Sequence, residues 1–161
     1  MDYLWTPWRY RYVSDPKKDE GCIFCDAAAL CDDARALIVL RRRKNYIILN
    51  RFPYTTGHVM IVPFAHVAEL AACDAETLGE MMELARRVQA ALAVVYKPEG
   101  YNLGMNLGRC AGAGVAGHLH LHVLPRWAGD TNFMSTVAET RVEPEDLQTT
   151  YGKLRGALGA S

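Results

Sequence analysis

One short segment constrains the fold more than any other part of the chain, the run His118-Leu119-His120-Leu121-His122-Val123-Leu124-Pro125. Histidine and aliphatic side chains alternate along it, which is the period of a β-strand with two different faces. A strand from His118 to Leu124 would place all three imidazoles on one face and turn the aliphatic side chains inward. The residues alone leave two chemistries open, a metal site with three imidazole ligands or a nucleophilic histidine assisted by its neighbours.

The rest of the chain supplies strands and one long helix to pack against that segment. Four further apolar runs have the length of strands, at residues 37–40, 46–49, 58–62 and 101–107. A long helix is predicted from Asp74, which can cap it, to Lys97, before Pro98. Its apolar stripe is Leu78, Met81, Met82, Ala85, Val88, Leu92 and Val95. With a short helix within residues 144–158, these elements predict an α+β fold, an antiparallel sheet of about five strands packed by one long helix.

The length of 161 residues predicts a single domain, residues 1–161. Residues 1–20 form an aromatic N-terminal arm, and residues 134–161 a C-terminal extension. Eighteen basic side chains balance eighteen acidic ones, which argues against binding to duplex nucleic acid. No apolar run approaches the roughly 20 residues of a membrane span, and no signal peptide is visible. We therefore expect a cytoplasmic protein with no membrane partner and no organic cofactor.

Five cysteines are too few and too scattered to predict a disulfide framework. Only Cys22 and Cys25 have an informative spacing, as a C-x-x-C pair. In a reducing compartment, that spacing is typical of half a zinc site or of a redox pair.

A Gly-rich loop, residues 108–117, precedes the histidine segment and contains four glycines. Such a loop brings backbone N–H groups close to an anion, because glycine adopts the required dihedrals without steric cost. Beside a row of imidazoles, it suggests a phosphate held against a nitrogen nucleophile.

These two features, taken with Asn50-Arg51, the run Gly57-His58-Val59-Met60-Ile61-Val62-Pro63 and His66, resemble the histidine triad (HIT) superfamily. The resemblance extends from about Cys22 to Phe133. It implies an antiparallel α+β fold that is usually dimeric, with a tetramer as the other possibility. It also implies nucleotidyl transfer or hydrolysis at the α-phosphate of a nucleotide, through a covalent nucleotidyl-histidine.

The resemblance implies a role for each matching residue. His120 would be the catalytic nucleophile, and His122 would hydrogen-bond the phosphate oxygens and the bridging oxygen of the leaving group. His58 and His118 match supporting histidines, and Asn50 matches the ribose-binding position. The implied nucleotide-binding residues are Asn50, His58, Asn106, Gly114, Val115, His122 and Trp127.

Zinc-bearing members of the superfamily suggest a context for the C-x-x-C pair. The implied ligands are Cys22, Cys25, His66 and His118. Two thiolates and two imidazoles form a closed tetrahedral shell, so a zinc ion there would be structural.

One departure from the family pattern and two further stretches point to a particular branch. Gly114 stands where many hydrolytic members have a glutamine, four residues before the first histidine. The run from Pro125 to Phe133 and the motif Leu4-Trp5-x-Pro7-Trp8-Arg9 resemble a bacterial branch with diadenosine tetraphosphate phosphorylase activity. In that branch phosphate, rather than water, takes the nucleotidyl group. Arg109 and Arg126 are nearby cations for an incoming phosphate, unless they are solvated.

The main hypothesis is therefore a nucleotide-binding enzyme that cleaves dinucleoside polyphosphates by phosphorolysis. One alternative is a HIT hydrolase that releases AMP from dinucleoside polyphosphates or nucleoside phosphoramidates. A second is a metal-centred enzyme with the three histidines as ligands, and a third is a nucleotide-binding module without catalysis.

Overall fold

The computed structural model describes residues 21–130 and 145–159. The predicted aromatic arm, residues 1–20, lies outside the described residues, and so does the first part of the C-terminal extension. No helix within the described ranges is long and apolar enough to cross a membrane.

Five strands form one antiparallel sheet, which confirms the predicted fold class. They are β1 (Ile38–Arg41), β2 (Asn45–Leu49), β3 (Val59–Pro63), β4 (Gly100–Gly104) and β5 (Leu121–Arg126). Their order is β1-β2-β3-β5-β4, and every neighbouring pair is antiparallel. Two strands are shorter than predicted, because β4 ends at Gly104 and β5 begins only at Leu121.

The helices are α1 (Ile23–Ala29), α2 (Asp33–Ala36), α3 (Ala75–Tyr96) and α4 (Leu147–Gly159). The predicted long helix, α3, begins where the Asp74 carboxylate accepts a hydrogen bond of 2.6 Å from the Thr77 N–H. It ends at Lys97, whose φ of 48° is left-handed. The sequence did not predict α1 and α2, which follow the C-x-x-C pair.

One face of the sheet is covered by α3, which contacts β2, β3 and β5, and by α4, which packs against α3 and β1. The helix buries Met81, Leu84, Ala85, Val88 and Leu92. Met82, predicted to lie on the buried stripe, is 58% exposed. Leu84 is buried instead, because the inward face follows the three- and four-residue steps from Met81 and excludes the adjacent position.

The strand register places the histidine segment relative to this core. Val59 is paired with Val123, and both are fully buried. The next pair, Met60 and His122, points to the opposite face, because successive side chains of a strand alternate. Gly104 of β4 pairs with His122 from the other side. His122 therefore lies on the face that α3 leaves uncovered.

Glu80 of α3 ties the turn between β1 and β2 to the helix. Its Oε1 accepts hydrogen bonds from the backbone N–H groups of Lys44 and Asn45, at 2.9 and 2.7 Å, and from the Asn45 amide at 3.0 Å. Burial would raise the pKa of Glu80, but these hydrogen bonds outweigh it and hold that pKa below its usual value. The carboxylate is thus the acceptor for three donors at a half-buried junction.

We expect Glu80→Ala to lower the free energy of unfolding by about 2 kcal/mol and the Tm by about 4–8 °C, because three donors lose their acceptor. Glu80→Gln keeps one acceptor oxygen and should lose less than half as much. Glu83→Ala is the matched control, since Glu83 is an exposed carboxylate whose ion pair, with Arg86, lies on the surface of the same helix. Thermal melting of the three variants tests this, and equal effects of Glu80→Ala and Glu83→Ala would contradict it.

Candidate functional site

The three histidines of the alternating segment are all buried, and their rings have different neighbours. His118, His120 and His122 are 1%, 5% and 9% exposed. His118 and His120 precede β5, and the Leu119 N–H between them donates to the Val67 carbonyl at 2.6 Å. The rings of His120 and His122 lie together, with centroids 4.8 Å apart. The His118 ring instead reaches Cys22 and Cys25.

The protonation of His120 follows from its one hydrogen bond. Its Nδ1 lies 2.8 Å from the His118 carbonyl oxygen, which can only accept, so Nδ1 carries the proton. Burial lowers the pKa of His120 and favours the neutral ring. A neutral imidazole protonated at Nδ1 has its lone pair on Nε2. Nε2 is thus the ring nitrogen that could act as a nucleophile.

A chain of hydrogen bonds gives His122 the opposite tautomer. The Tyr54 N–H donates to His58 Nδ1 at 3.1 Å, so the His58 proton is on Nε2. His58 Nε2 in turn lies 2.9 Å from His122 Nδ1, which must accept. Burial, followed by the nearby His120, lowers the pKa of His122 to about 4, so the ring is neutral at physiological pH. The His122 proton is therefore on Nε2, where it can be donated to a ligand.

Asn50 also contacts His58, the histidine that donates to His122. Its Oδ1 accepts from the Phe52 N–H at 3.0 Å, which turns its Nδ2 toward His58 Nδ1 at 3.3 Å. Both neighbours of that nitrogen are therefore donors. Asn50 supports the His58 tautomer in this structure, apart from any role toward a ribose.

The four implied zinc ligands lie together at the start of α1. The ligand atoms of Cys22, Cys25, His66 and His118 are all within 4.8 Å of one another. Cys22 Sγ is 3.2 Å from His118 Nδ1, and Cys25 Sγ is 3.4 Å from His66 Nδ1. Both cysteines are free thiols. The cluster joins residues separated by more than 90 positions in the sequence.

The donor set fits zinc. Zinc bonds of about 2.3 Å to sulfur and 2.0–2.1 Å to nitrogen separate tetrahedral ligands by roughly 3.4–3.8 Å, close to the spacing in this cluster. The other nitrogen of His118, Nε2, lies 2.9 Å from the Pro63 carbonyl oxygen, which fixes the proton on Nε2 and leaves the Nδ1 lone pair facing the thiols. Burial is the largest cause that raises the pKa of Cys25, and neighbouring Cys22 adds to it. A cation between the two sulfurs would offset this.

The alternative with three imidazole ligands on one metal is not favoured by this geometry. Within the described ranges, the cluster above is the one group of three or more Cys, His, Asp or Glu side chains with ligand atoms close enough to share an ion. It contains His118 but neither His120 nor His122.

Phe24, inside the C-x-x-C motif, is a site residue that the sequence analysis missed. It is 2% exposed, and its ring centroid lies 5.5 Å from that of His118 and 5.0 Å from that of His120. The Tyr46 hydroxyl donates to the Phe24 carbonyl oxygen at 2.8 Å and fixes the backbone there. Phe24 thus packs the cysteine pair against His120. Its position between Cys22 and Cys25 is the sequence feature that could have marked it as a site residue.

Tyr54 is a second missed residue. Its ring stacks on His122 with centroids 6.0 Å apart and lies 4.7 Å from the ring of His58. No pattern in the sequence marked it, since it falls in the loop between β2 and β3.

The Gly-rich loop bends sharply before His118. Gly108 and Gly112 have φ values of 81° and 86°, a conformation that other residues adopt only with strain. Between them lies a single 3-10 turn, Arg109–Ala111. Gly114 and Val115 follow, and the Val115 carbonyl accepts from the His118 N–H at 3.5 Å. The loop therefore closes directly onto the histidine segment.

Only two of the implied nucleotide-binding residues, Asn106 and His122, line a common cavity of about 210 Å³. Trp127 does not line it. Its backbone N–H donates to the Asp130 carboxylate at 3.3 Å in a turn after β5. A larger open depression of about 910 Å³, lined by Arg41, Tyr151, Arg155 and their neighbours, contains none of the predicted site residues.

Comparison with known proteins places the chain in a family. A HIT domain family model matches residues 32–129. An AP-4-A phosphorylase of Mycobacterium tuberculosis is 36% identical over 157 residues, which cover 93% of this chain and 80% of that protein. An adenosine 5'-monophosphoramidase of Saccharomyces cerevisiae is 31% identical over 108 residues, 67% of this chain and 64% of that protein.

A solved structure of similar fold agrees with this family match. The crystal structure of a Zn-bound histidine triad family protein from Mycobacterium smegmatis has a TM-score of 0.70 at 28% identity and covers 87% of this chain and 94% of that one. The family match spans more than half of the chain, and the antiparallel sheet with its histidine segment is the fold of these relatives. The chain belongs to the histidine triad (HIT) family.

Proposed function

We propose that the protein is an enzyme that cleaves dinucleoside polyphosphates such as diadenosine tetraphosphate by phosphorolysis, through a nucleotidyl intermediate on His120. One observation carries the proposal. His120 has a lone pair on Nε2 and neighbouring His122 has a proton on Nε2, so a nucleophile and a hydrogen-bond donor lie side by side. The similarity to an AP-4-A phosphorylase supports the substrate class.

The first step is attack of His120 Nε2 on the α-phosphorus, with release of the remaining nucleotide. The positive charge that forms on the His120 ring is stabilised by its Nδ1–H, which stays bonded to the His118 carbonyl. His122 Nε2–H donates to the oxygen of the leaving group, where negative charge develops. The hydrogen bond from His58 holds His122 in the tautomer that this step requires.

Binding of the nucleotide is divided among the remaining candidates. We propose that Asn50 binds the ribose, and that Gly114 and Val115 offer backbone N–H groups to the α-phosphate, next to Asn106. The left-handed turns at Gly108 and Gly112 support the loop's role, since such turns expose backbone N–H groups to an anion. Trp127 is proposed as a further contact to the nucleotide.

Hydrolysis is the second candidate, in which water takes the nucleotidyl group and AMP is released. The monophosphoramidase relative favours it. Gly114 favours phosphorolysis, because it removes a side-chain amide from the position where hydrolytic members have glutamine. The two candidates share every step up to the intermediate.

We further propose that Cys22, Cys25, His66 and His118 hold a structural zinc ion. A closed shell of two sulfurs and two nitrogens has no open position, so bound zinc supplies cross-linking rather than Lewis-acid chemistry. The cross-link joins the start of α1 to the histidine segment and fixes Phe24 against His120.

The proposed assembly is a homodimer, or a tetramer built from it. β4 is an edge strand of the described sheet, and its Leu103 is 45% exposed, features that a second copy would cover. We propose one HIT domain over residues 1–161, with the arm 1–20 and the extension 134–161. The cytoplasm is the proposed compartment, which the five free thiols favour.

Whether phosphate or water is the acceptor is tested by measuring the consumption of diadenosine tetraphosphate with and without phosphate. We expect ATP and ADP as products, and omission of phosphate should slow consumption by at least about tenfold, or ~1.4 kcal/mol in barrier. A bound, oriented phosphate can outcompete water despite water's far higher concentration. Separation of products by chromatography provides the measurement. AMP at an undiminished rate without phosphate would establish the hydrolase instead.

We expect His120→Asn to lower turnover by at least about a thousandfold, roughly 4 kcal/mol in barrier, because it removes the covalent path. Asparagine keeps a polar side chain in a buried place where alanine would leave a cavity. An alkaline quench with labelled nucleotide should trap an acid-labile adduct in the wild type only. Retention of more than a few per cent of the activity would refute the mechanism.

The zinc proposal predicts about one zinc ion per chain. Cys22→Ser should lower both metal content and Tm, since metal binding and folding are coupled. Cys31→Ser is the matched control, because Cys31 is exposed and lies outside the cluster. Metal analysis and thermal melting are the measurements. If a chelator silences a protein that remains folded with an unchanged Tm, the metal has a catalytic role and the structural assignment is wrong.

A further inference from the structure

The cavity beside His122 contains residues to which the mechanism so far gives no role. It has a volume of about 210 Å³ and lies between the edge strand β4 and the loop before β3. Its lining includes Tyr54, Asn102, Gly104, Asn106 and His122. Two amide side chains and an imidazole therefore line one small space.

Gly104 is what keeps this space open. It pairs directly with His122 across β4 and β5, so a side chain at position 104 would point to the same face as the imidazole. A Cβ built on Gly104 meets no atom within 4 Å, so nothing in the packing requires glycine there. The missing side chain leaves a gap next to the His122 ring.

Asn102 lines the cavity, and Arg126 fixes the orientation of its amide. Its Oδ1 accepts a hydrogen bond of 2.6 Å from Arg126, and the same guanidinium is held by Asp130. With Oδ1 engaged, the Nδ2 group, which can only donate, is the end available to a ligand. Arg126 thus acts on the cavity through the orientation of the Asn102 amide.

The chemistry of the two steps requires an acceptor on this side of the phosphorus. In phosphoryl transfer the attacking and leaving atoms lie roughly in line. When His120 Nε2 attacks, the leaving group departs opposite to it, next to the His122 Nε2–H. The second attack must displace His120 from the same opposite side. The acceptor therefore enters beside His122, where the cavity is.

We propose that this cavity is the binding site for inorganic phosphate as the acceptor, held by Asn102 Nδ2, Asn106 and His122 Nε2; this rests on the phosphorolysis proposed above. An unprotonated phosphate oxygen forms the new bond to the α-phosphorus, and the bond from phosphorus to His120 Nε2 breaks. Its electron pair returns to Nε2, while the proton on Nδ1 stays in place. The product is the nucleoside diphosphate.

The ratio of ADP to AMP formed at a fixed phosphate concentration tests the site. It reports how the intermediate divides between phosphate and water, and is independent of how fast the intermediate forms. Asn102→Asp replaces the donor by a carboxylate that repels the dianion, so we expect the ratio to fall at least about tenfold. Gly104→Ala places a methyl group in the gap and should lower the ratio severalfold without loss of fold.

Gln89→Ala is the matched control, since it removes an exposed amide from α3 and should leave the ratio within about twofold of the wild type. An unchanged ratio in Asn102→Asp would overturn the site. If that variant fails to fold by thermal melting, an unchanged ratio in Gly104→Ala overturns it. A wild type that yields only AMP at every phosphate concentration would instead overturn the phosphorolysis itself.

Discussion

The hydrogen bond from the His120 ring to the His118 carbonyl joins the two halves of the site. His118 belongs to the Cys-His cluster through its side chain, while its backbone oxygen selects the tautomer of His120. The orientation of the nucleophile therefore depends on the position of a backbone that the cluster also holds. Phe24 adds a second connection, because its ring contacts both imidazoles. Damage to the cluster would reach the nucleophile by both routes.

Burial determines the charge of the site as well as its shape. Desolvation lowers the pKa of His118, His120 and His122, so the rings are neutral at physiological pH. A protonated His120 would have no lone pair, and a protonated His122 would be a second cation next to it. Neutral rings cannot attract a phosphate strongly by charge. In the proposed mechanism, the Gly-rich loop and the amides of Asn102 and Asn106 therefore supply neutral donors.

Much of the fold could be predicted from the sequence, because its signals are local. The three- and four-residue spacing of α3 and its Asp74 cap gave its bounds within a residue. The apolar runs gave the strands, although β5 starts three residues later than the alternation suggested. The alternation correctly predicted that Leu121 and Val123 are buried. It did not predict where strand pairing begins, since His118 and His120 precede the hydrogen-bonded strand β5. Met82, which the spacing placed on the buried stripe of α3 but which is exposed, shows the limit of a stripe predicted from spacing alone.

The sequence by itself determined which residue types are available and in which local order, and that order sufficed to indicate the family and a histidine nucleophile. Only the tertiary structure decided which nitrogen carries each proton, because the partners of the rings are the Tyr54 backbone, His58 and the His118 carbonyl. It also brought Cys22 to His118 across 96 positions, and Gly104 to His122. Such pairings depend on strand order and register, which no local pattern specifies. Hence the positions of Phe24, Asn102 and Gly104 beside the histidines became visible only in the folded chain.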